Sequence, residues 1–108
     1  MIIRKDEAKS KKVGSMEISE YPINKRFSGA RIRIDGHHGA LKCLREDRIY
    51  HVLGGDGIFT INGDERHVSK DDMIYIPRQT TYDFRGSMTL LLICSPAFDP
   101  AHDVFLDQ

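Results

Sequence analysis

The chain has 108 residues, enough for one hydrophobic core and not for two. Its 16 basic and 16 acidic residues cancel to a net charge of zero, which argues against the basic stripe of a nucleic-acid binder and the polybasic cluster of a membrane-surface protein. No apolar run approaches the roughly 20 residues of a membrane helix, and Met1-Ile2-Ile3 followed by charges does not read as a signal peptide, so Cys43 and Cys94 are expected as reduced thiols in a cytoplasmic protein.

Residues 1–15 read as an N-terminal arm, with the charged stretch 4–12 as a helical turn or a loose segment, and 16–108 as the domain proper. Met16, Ile18 and Tyr21 predict a short edge strand that stops near Pro22. Ala30 to Asp35 alternates cleanly and is closed by Gly36, and Ala40 to Arg45 gives a weaker strand signal. Ile49–Leu53 and Ile58–Ile61 are expected as a hairpin around Gly54-Gly55-Asp56-Gly57, and Asn62-Gly63 favours a primed turn. Arg66–Ser69 leads to a turn at Lys70-Asp71-Asp72. Three further strands follow: Met73–Ile76, Tyr82–Phe84 and the nearly all-apolar, hence central, Met88–Cys94. About eight to ten short strands without a long helix predict an all-β sandwich or barrel, and a double-sheet jelly roll is the version with a ligand mouth.

Two segments carry a resemblance: Val52-Leu53-Gly54-Gly55-Asp56-Gly57, and Asp71-Asp72 leading through Met73-Ile74-Tyr75-Ile76 to Pro77. They resemble the cupin family, which implies a single-domain cupin jelly-roll β-barrel with a ligand pocket and homodimers paired sheet to sheet. Cupins usually bind a metal through two histidines one residue apart, a glutamate and a third histidine. Those positions fall at Leu41, Cys43, Arg48 and Tyr82. Leucine has no donor atom, arginine is a permanent cation and tyrosine is a poor ligand near neutral pH, so no metal and no cofactor are expected. His37 and His38 are neighbours and should point to opposite faces of a strand. His38, His51, His67 and His102 read as solvent-facing or structural.

With Arg48 facing inward, alternation gives a lining of His37, Leu41, Cys43, Arg48, Tyr50, Tyr82 and Phe84. That is an apolar, aromatic wall with few polar groups, typical of a small-molecule site. The plainer alternative is a barrel plugged by its own side chains. Arg48 argues against it: no acidic residue sits at a matching inward position, so an anionic or polyhydroxylated ligand would have to answer the guanidinium.

Within the family, Gly36-His37 to Phe59 and Gly86-Ser87-Met88 to Phe98 resemble small metal-free cupins that dehydrate uridine-5′-aldehyde in uridyl-peptide antibiotic biosynthesis. The resemblance implies catalytic roles for His37, Tyr50 and a lysine of the arm, Lys11 or Lys12. A second family tyrosine falls at Phe84, with Tyr82 on the same face. The expected function is a metal-independent lyase acting on a nucleoside or sugar-like carbonyl compound. His37 removes the acidified α-proton, Lys11 or Arg48 stabilises the enolate, and Tyr50 protonates the departing hydroxyl. A sugar isomerase or epimerase shares the first step, and a non-catalytic binding cupin would need the pocket but no base.

Overall fold

A computed structural model describes residues 1–106. A 3-10 turn at Lys5–Glu7 leads into nine strands: β1 (Lys9–Val13), β2 (Met16–Tyr21), β3 (Ser28–His37), β4 (Leu41–Cys43), β5 (Asp47–Ile61), β6 (Asp64–Ser69), β7 (Met73–Ile76), β8 (Thr81–Ser95) and β9 (Asp103–Phe105), the last preceded by a 3-10 turn at Pro100–His102. No helix among the described residues is long and apolar enough to cross a membrane.

The two 15-residue strands β5 and β8 pair along their whole length and build the barrel. The first half of β5 pairs with β7 and the second half with β6. The second half of β8 pairs with β3, which continues to β2 and β1, while its start pairs with β4 and then β9. Two sheets thus share two bent strands, the jelly-roll arrangement expected from the sequence. Alternation in β8 sends Met88, Leu90, Leu92 and Cys94 inward, where they join Ile32, Ile34, Val52, Phe59 and Ile76.

The expected hairpin at Gly54–Gly57 is not formed. β5 runs straight through those glycines with a bulge between Val52 and Gly54. Gly55 has φ +79°, and a Cβ there would lie 2.1 Å from the Ser87 carbonyl oxygen. A positive φ and a close backbone neighbour together require glycine, so the cluster marks a bulge on a long bent strand and not a turn. At Asn62-Gly63 both residues do have positive φ, 50° and 83°, and here the chain reverses into β6. Likewise Tyr82–Phe84 and Met88–Cys94 belong to one strand, β8. Residues 9–13, expected within a charged arm, form β1 and pair with β2 in register from Lys9↔Glu20 to Val13↔Met16. Cys43 and Cys94 are both buried and free.

Candidate functional site

A cavity of about 580 Å³ opens between the sheets. Its floor and sides are strand residues facing inward: Met16 and Ile18 of β2, Ala30 and Ile32 of β3, Arg48 and Tyr50 of β5, and Leu92 and Cys94 of β8. The β1–β2 hairpin brings Lys9, Lys11 and Glu20 to it, and the C-terminal segment closes another side with Phe98, Asp103 and Phe105. The barrel is therefore not plugged by its own side chains.

Arg48 is the centre of the polar wall, and it is not waiting for an anion. Its Nη2 donates to Glu46 Oε1 at 3.0 Å and to Asp103 Oδ1 at 2.7 Å, and its Nη1 donates to the Tyr82 hydroxyl at 2.9 Å. This corrects the expectation that no acidic residue reaches it. Glu46 lies in the bend before β5, with a side chain 0% exposed, and Asp103 begins β9, a strand with no sequence signal of its own. Glu46 Oε2 also accepts from the Asp99 N–H at 2.9 Å and contacts His102 Nδ1 at 3.0 Å. The Phe98 ring lies 5.5 Å from the Arg48 guanidinium carbon, a cation–π contact.

The Tyr82 and Tyr50 hydroxyls are 2.6 Å apart. A guanidinium can only donate, so the Tyr82 oxygen accepts from Arg48, while either hydroxyl can donate in the Tyr82–Tyr50 bond. When Tyr82 is the donor, the Tyr50 proton is left for whatever occupies the cavity. Burial holds both phenols neutral: Tyr50 is pushed well above its ordinary value by burial and then by Tyr82, and Tyr82 is pushed up to about 12, mainly by burial.

The imidazole in the cavity is His38, and not His37. β3 ends at His37, paired with Arg85 on β8, and the chain then turns with Gly39 at φ +104°. His38 stacks on Phe84 with ring centroids 4.3 Å apart, and its N–H donates to the Phe84 carbonyl at 2.9 Å. Its Nδ1 is 2.8 Å from the Gly39 carbonyl oxygen, which can only accept. Nδ1 therefore carries the proton and Nε2 presents its lone pair, with no protein partner among the described residues. Burial lowers the His38 pKa below 6.5, against smaller opposing effects of the Gly39 carbonyl and the Asp83 carboxylate. His37 points out of the barrel with a side chain 57% exposed, 2.6 Å from Asp83 Oδ2. The other oxygen of Asp83 accepts from the Gly39 N–H at 2.9 Å, so one carboxylate ties down both sides of His38.

Of the other residues expected in the lining, Leu41, Arg48 and Tyr50 are there. Cys43, Tyr82 and Phe84 are buried in the core behind the wall and do not line the cavity. Lys11 reaches the cavity and Lys12 does not. Lys11 Nζ pairs with Glu20 Oε1 at 2.8 Å and lies 5.8 Å from the Phe98 ring centroid. At the positions where cupins carry metal ligands, Leu41 offers no donor and Arg48 occupies the ground between Glu46 and Asp103, so these residues do not fit a metal ion. Among the described residues no group of three or more His, Cys, Asp or Glu side chains is arranged to hold one.

No family model matches the chain. An uncharacterized protein of Methanocaldococcus jannaschii, MJ1618, is 33% identical over 55 residues, and the match spans 49% of this chain and 44% of that protein, so the chain covers less than half the length of this curated relative. Solved structures align over nearly all of it, and they define the class: the chain has the cupin jelly-roll fold. KdgF from Halomonas sp. superposes with a TM-score of 0.81 at 17% identity, covering 94% of this chain and 97% of that one. A Streptomyces PAC13 variant with uridine superposes with a TM-score of 0.92 at 21% identity, covering 98% of this chain and 89% of that one. Pac13 is described as a unique nucleoside dehydratase, and this chain shares its fold, with a TM-score of 0.91.

Proposed function

We propose that this protein is a metal-independent lyase that eliminates water from a nucleoside or sugar-like carbonyl compound, working as a cytoplasmic homodimer without a cofactor. The observation that carries the reading is His38: a half-buried imidazole with Nδ1–H fixed on the Gly39 carbonyl and Nε2 free in a ligand-sized cavity. A neutral imidazole is the right base for a proton acidified by an adjacent carbonyl. His38 Nε2 takes the α-proton and leaves an enolate, whose oxygen the Lys11 ammonium stabilises. The enolate collapses back to the carbonyl, forming a new Cα=Cβ double bond as the β C–O bond breaks. The departing hydroxide takes the Tyr50 proton and leaves as water, and the proton gained by His38 is returned to Tyr50 through solvent before the next turnover. Arg48, through Tyr82, keeps Tyr50 oriented as a donor. His38 takes over the role expected of His37, whose side chain is outside the cavity. The likeness to Pac13 supports a nucleoside substrate.

The outer face of β7, β5 and β8 supports the homodimer as an apolar surface for a second copy. There Met73, Tyr75, Ile49 and Leu53 are exposed, with Ile49 directly opposite Tyr75 and Ile93.

The test is incubation with uridine-5′-aldehyde and mass spectrometry for loss of one water. His38→Gln should slow turnover by roughly 10²–10⁴, while His37→Ala leaves it within a few-fold. An intact rate in His38→Gln, or no turnover of any aldehyde or keto-sugar by the parent protein, would overturn the proposal. Return of an isomer without water loss would assign an isomerase that uses the same base.

A further inference from the structure

The wall around Arg48 also selects the ligand's polar groups. The Asp103 side chain is 10% exposed and lines the cavity. Its Oδ1 is taken by Arg48 Nη2 at 2.7 Å, and its Oδ2 has no partner among the described residues. Both Nη atoms of Arg48 already hold partners, and its Nε–H, which has none among the described residues, is fully buried, so an incoming anion could pair with this guanidinium only by rearranging the wall. The charges beside Arg48 do not favour an anion either: two carboxylates, Glu46 and Asp103, answer its one positive charge, with His102 beside Glu46 Oε2, and the cavity's Lys11 is paired with Glu20. A phosphate or carboxylate placed beside Asp103 meets a carboxylate in a mostly buried wall. A hydroxyl meets a free carboxylate oxygen that lacks a donor.

We infer that Asp103 is a specificity-determining residue that accepts hydrogen bonds from hydroxyl groups of an uncharged ligand, and that the cavity takes a polyhydroxylated body in preference to an anionic one. This rests on the cavity being the substrate site and deepens that reading. A carboxylate that accepts from sugar hydroxyls is the same chemistry by which an acidic side chain holds a ribose in dinucleotide sites. The bond is charge-assisted, so its loss is felt strongly when the acceptor stays buried.

Calorimetric binding of uridine, 2′,3′-dideoxyuridine and uridine 3′-monophosphate tests it. The parent protein should bind uridine roughly ten- to hundred-fold more tightly than the dideoxy compound, the usual effect of a hydrogen bond to a charged group. The 3′-phosphate should bind more weakly than uridine. Asp103→Asn keeps an acceptor for Arg48 and removes the charge. It should shrink the hydroxyl preference to within about three-fold and relax the penalty on the phosphate. Equal binding of uridine and the dideoxy compound, tighter binding of the phosphate, or no uridine binding at millimolar concentration overturns the inference. The comparison of ligands on the parent protein stands even if Asp103→Asn does not fold. Hydroxyl preference without turnover leaves the inference standing and removes the lyase; turnover without the preference does the reverse.

Discussion

Replacing Arg48 by methionine keeps an unbranched, flexible side chain of moderate length and deletes the charge on which the polar wall is built. Its bonds to Tyr82, Glu46 and Asp103 disappear together. Glu46 is then a fully buried carboxylate with only the Asp99 N–H and His102 beside it, and Asp103 loses its partner. Removing one member of a buried ion pair costs about 3–5 kcal/mol, because the charge left behind has neither water nor a counterion. In a domain of this size each kcal/mol lowers the melting temperature by roughly 4–8 °C, so Arg48→Met should melt on the order of 12–40 °C below the parent. The penalty lies in the stranded charges, so adding Glu46→Gln and Asp103→Asn should restore about half of the loss or more. Urea denaturation of the single and triple variants measures both quantities. A loss below about 1 kcal/mol, the size of an exposed ion pair, would refute the reasoning. So would a triple variant no more stable than the single one.

Gly55→Ala should cost roughly 2–5 kcal/mol by urea denaturation, since the added Cβ meets the Ser87 carbonyl at a positive φ; a loss under about 1 kcal/mol would remove the bulge as the reason for the glycine. His38 has a lowered folded-state pKa, so the unfolded chain binds the extra proton first on acidification. Its stabilising contribution is full above 6.5 and is lost as pH falls from there towards the folded value, a slope that should flatten in His38→Gln when melting is followed against pH. The same shift places the rising limb of kcat/KM below pH 6.5, and a midpoint above that value would mean that the base is not His38. Light scattering should give about twice the 12.3 kDa chain mass, falling to one chain when Met73 and Tyr75 are both replaced by lysine, and a monomeric parent would reject the dimer.

The fold was legible because its determinants are periodic. The alternation of β3 shows in Ile32 and Ile34, the nearly unbroken apolar run Met88–Cys94 marks β8 as central, and Asn62-Gly63 announces its own turn. The glycines at 54–57 do not distinguish a hairpin from a bulge, because glycine permits a tight turn and a bulge equally well. What decides between them here is the backbone of Ser87 on a distant strand, and nothing in the local sequence reports it. β9 is three residues long and is held by β4 and by Asp103 on Arg48, so a scan for hydrophobic period passes over it.

The site was legible where a side chain sits in mid-strand and illegible where closure of the barrel decides. Leu41, Arg48 and Tyr50 lie on strands whose parity carries them inward. Parity carried back from Leu41 and Cys43 across Gly39 places His37 inside only if one strand continues, and β3 and β4 are separate strands. Counted forwards from Ala30, Ile32 and Ile34, the inward parity of β3 reaches Gly36 and puts His37 outside, so the signal was present on the other strand. Once the chain leaves β3, alternation no longer governs, and packing against Phe84 brings His38 in. Glu46 and Asp103 stand apart from both patterns, one in a bend and one at a strand start, and only the closed barrel brings them onto Arg48. Their arrival reverses the chemical meaning of that arginine. Unpaired, it would attract an anion; paired with both, it becomes a fixed donor to Tyr82 and leaves the second oxygen of the cavity-lining Asp103 without a donor among the described residues.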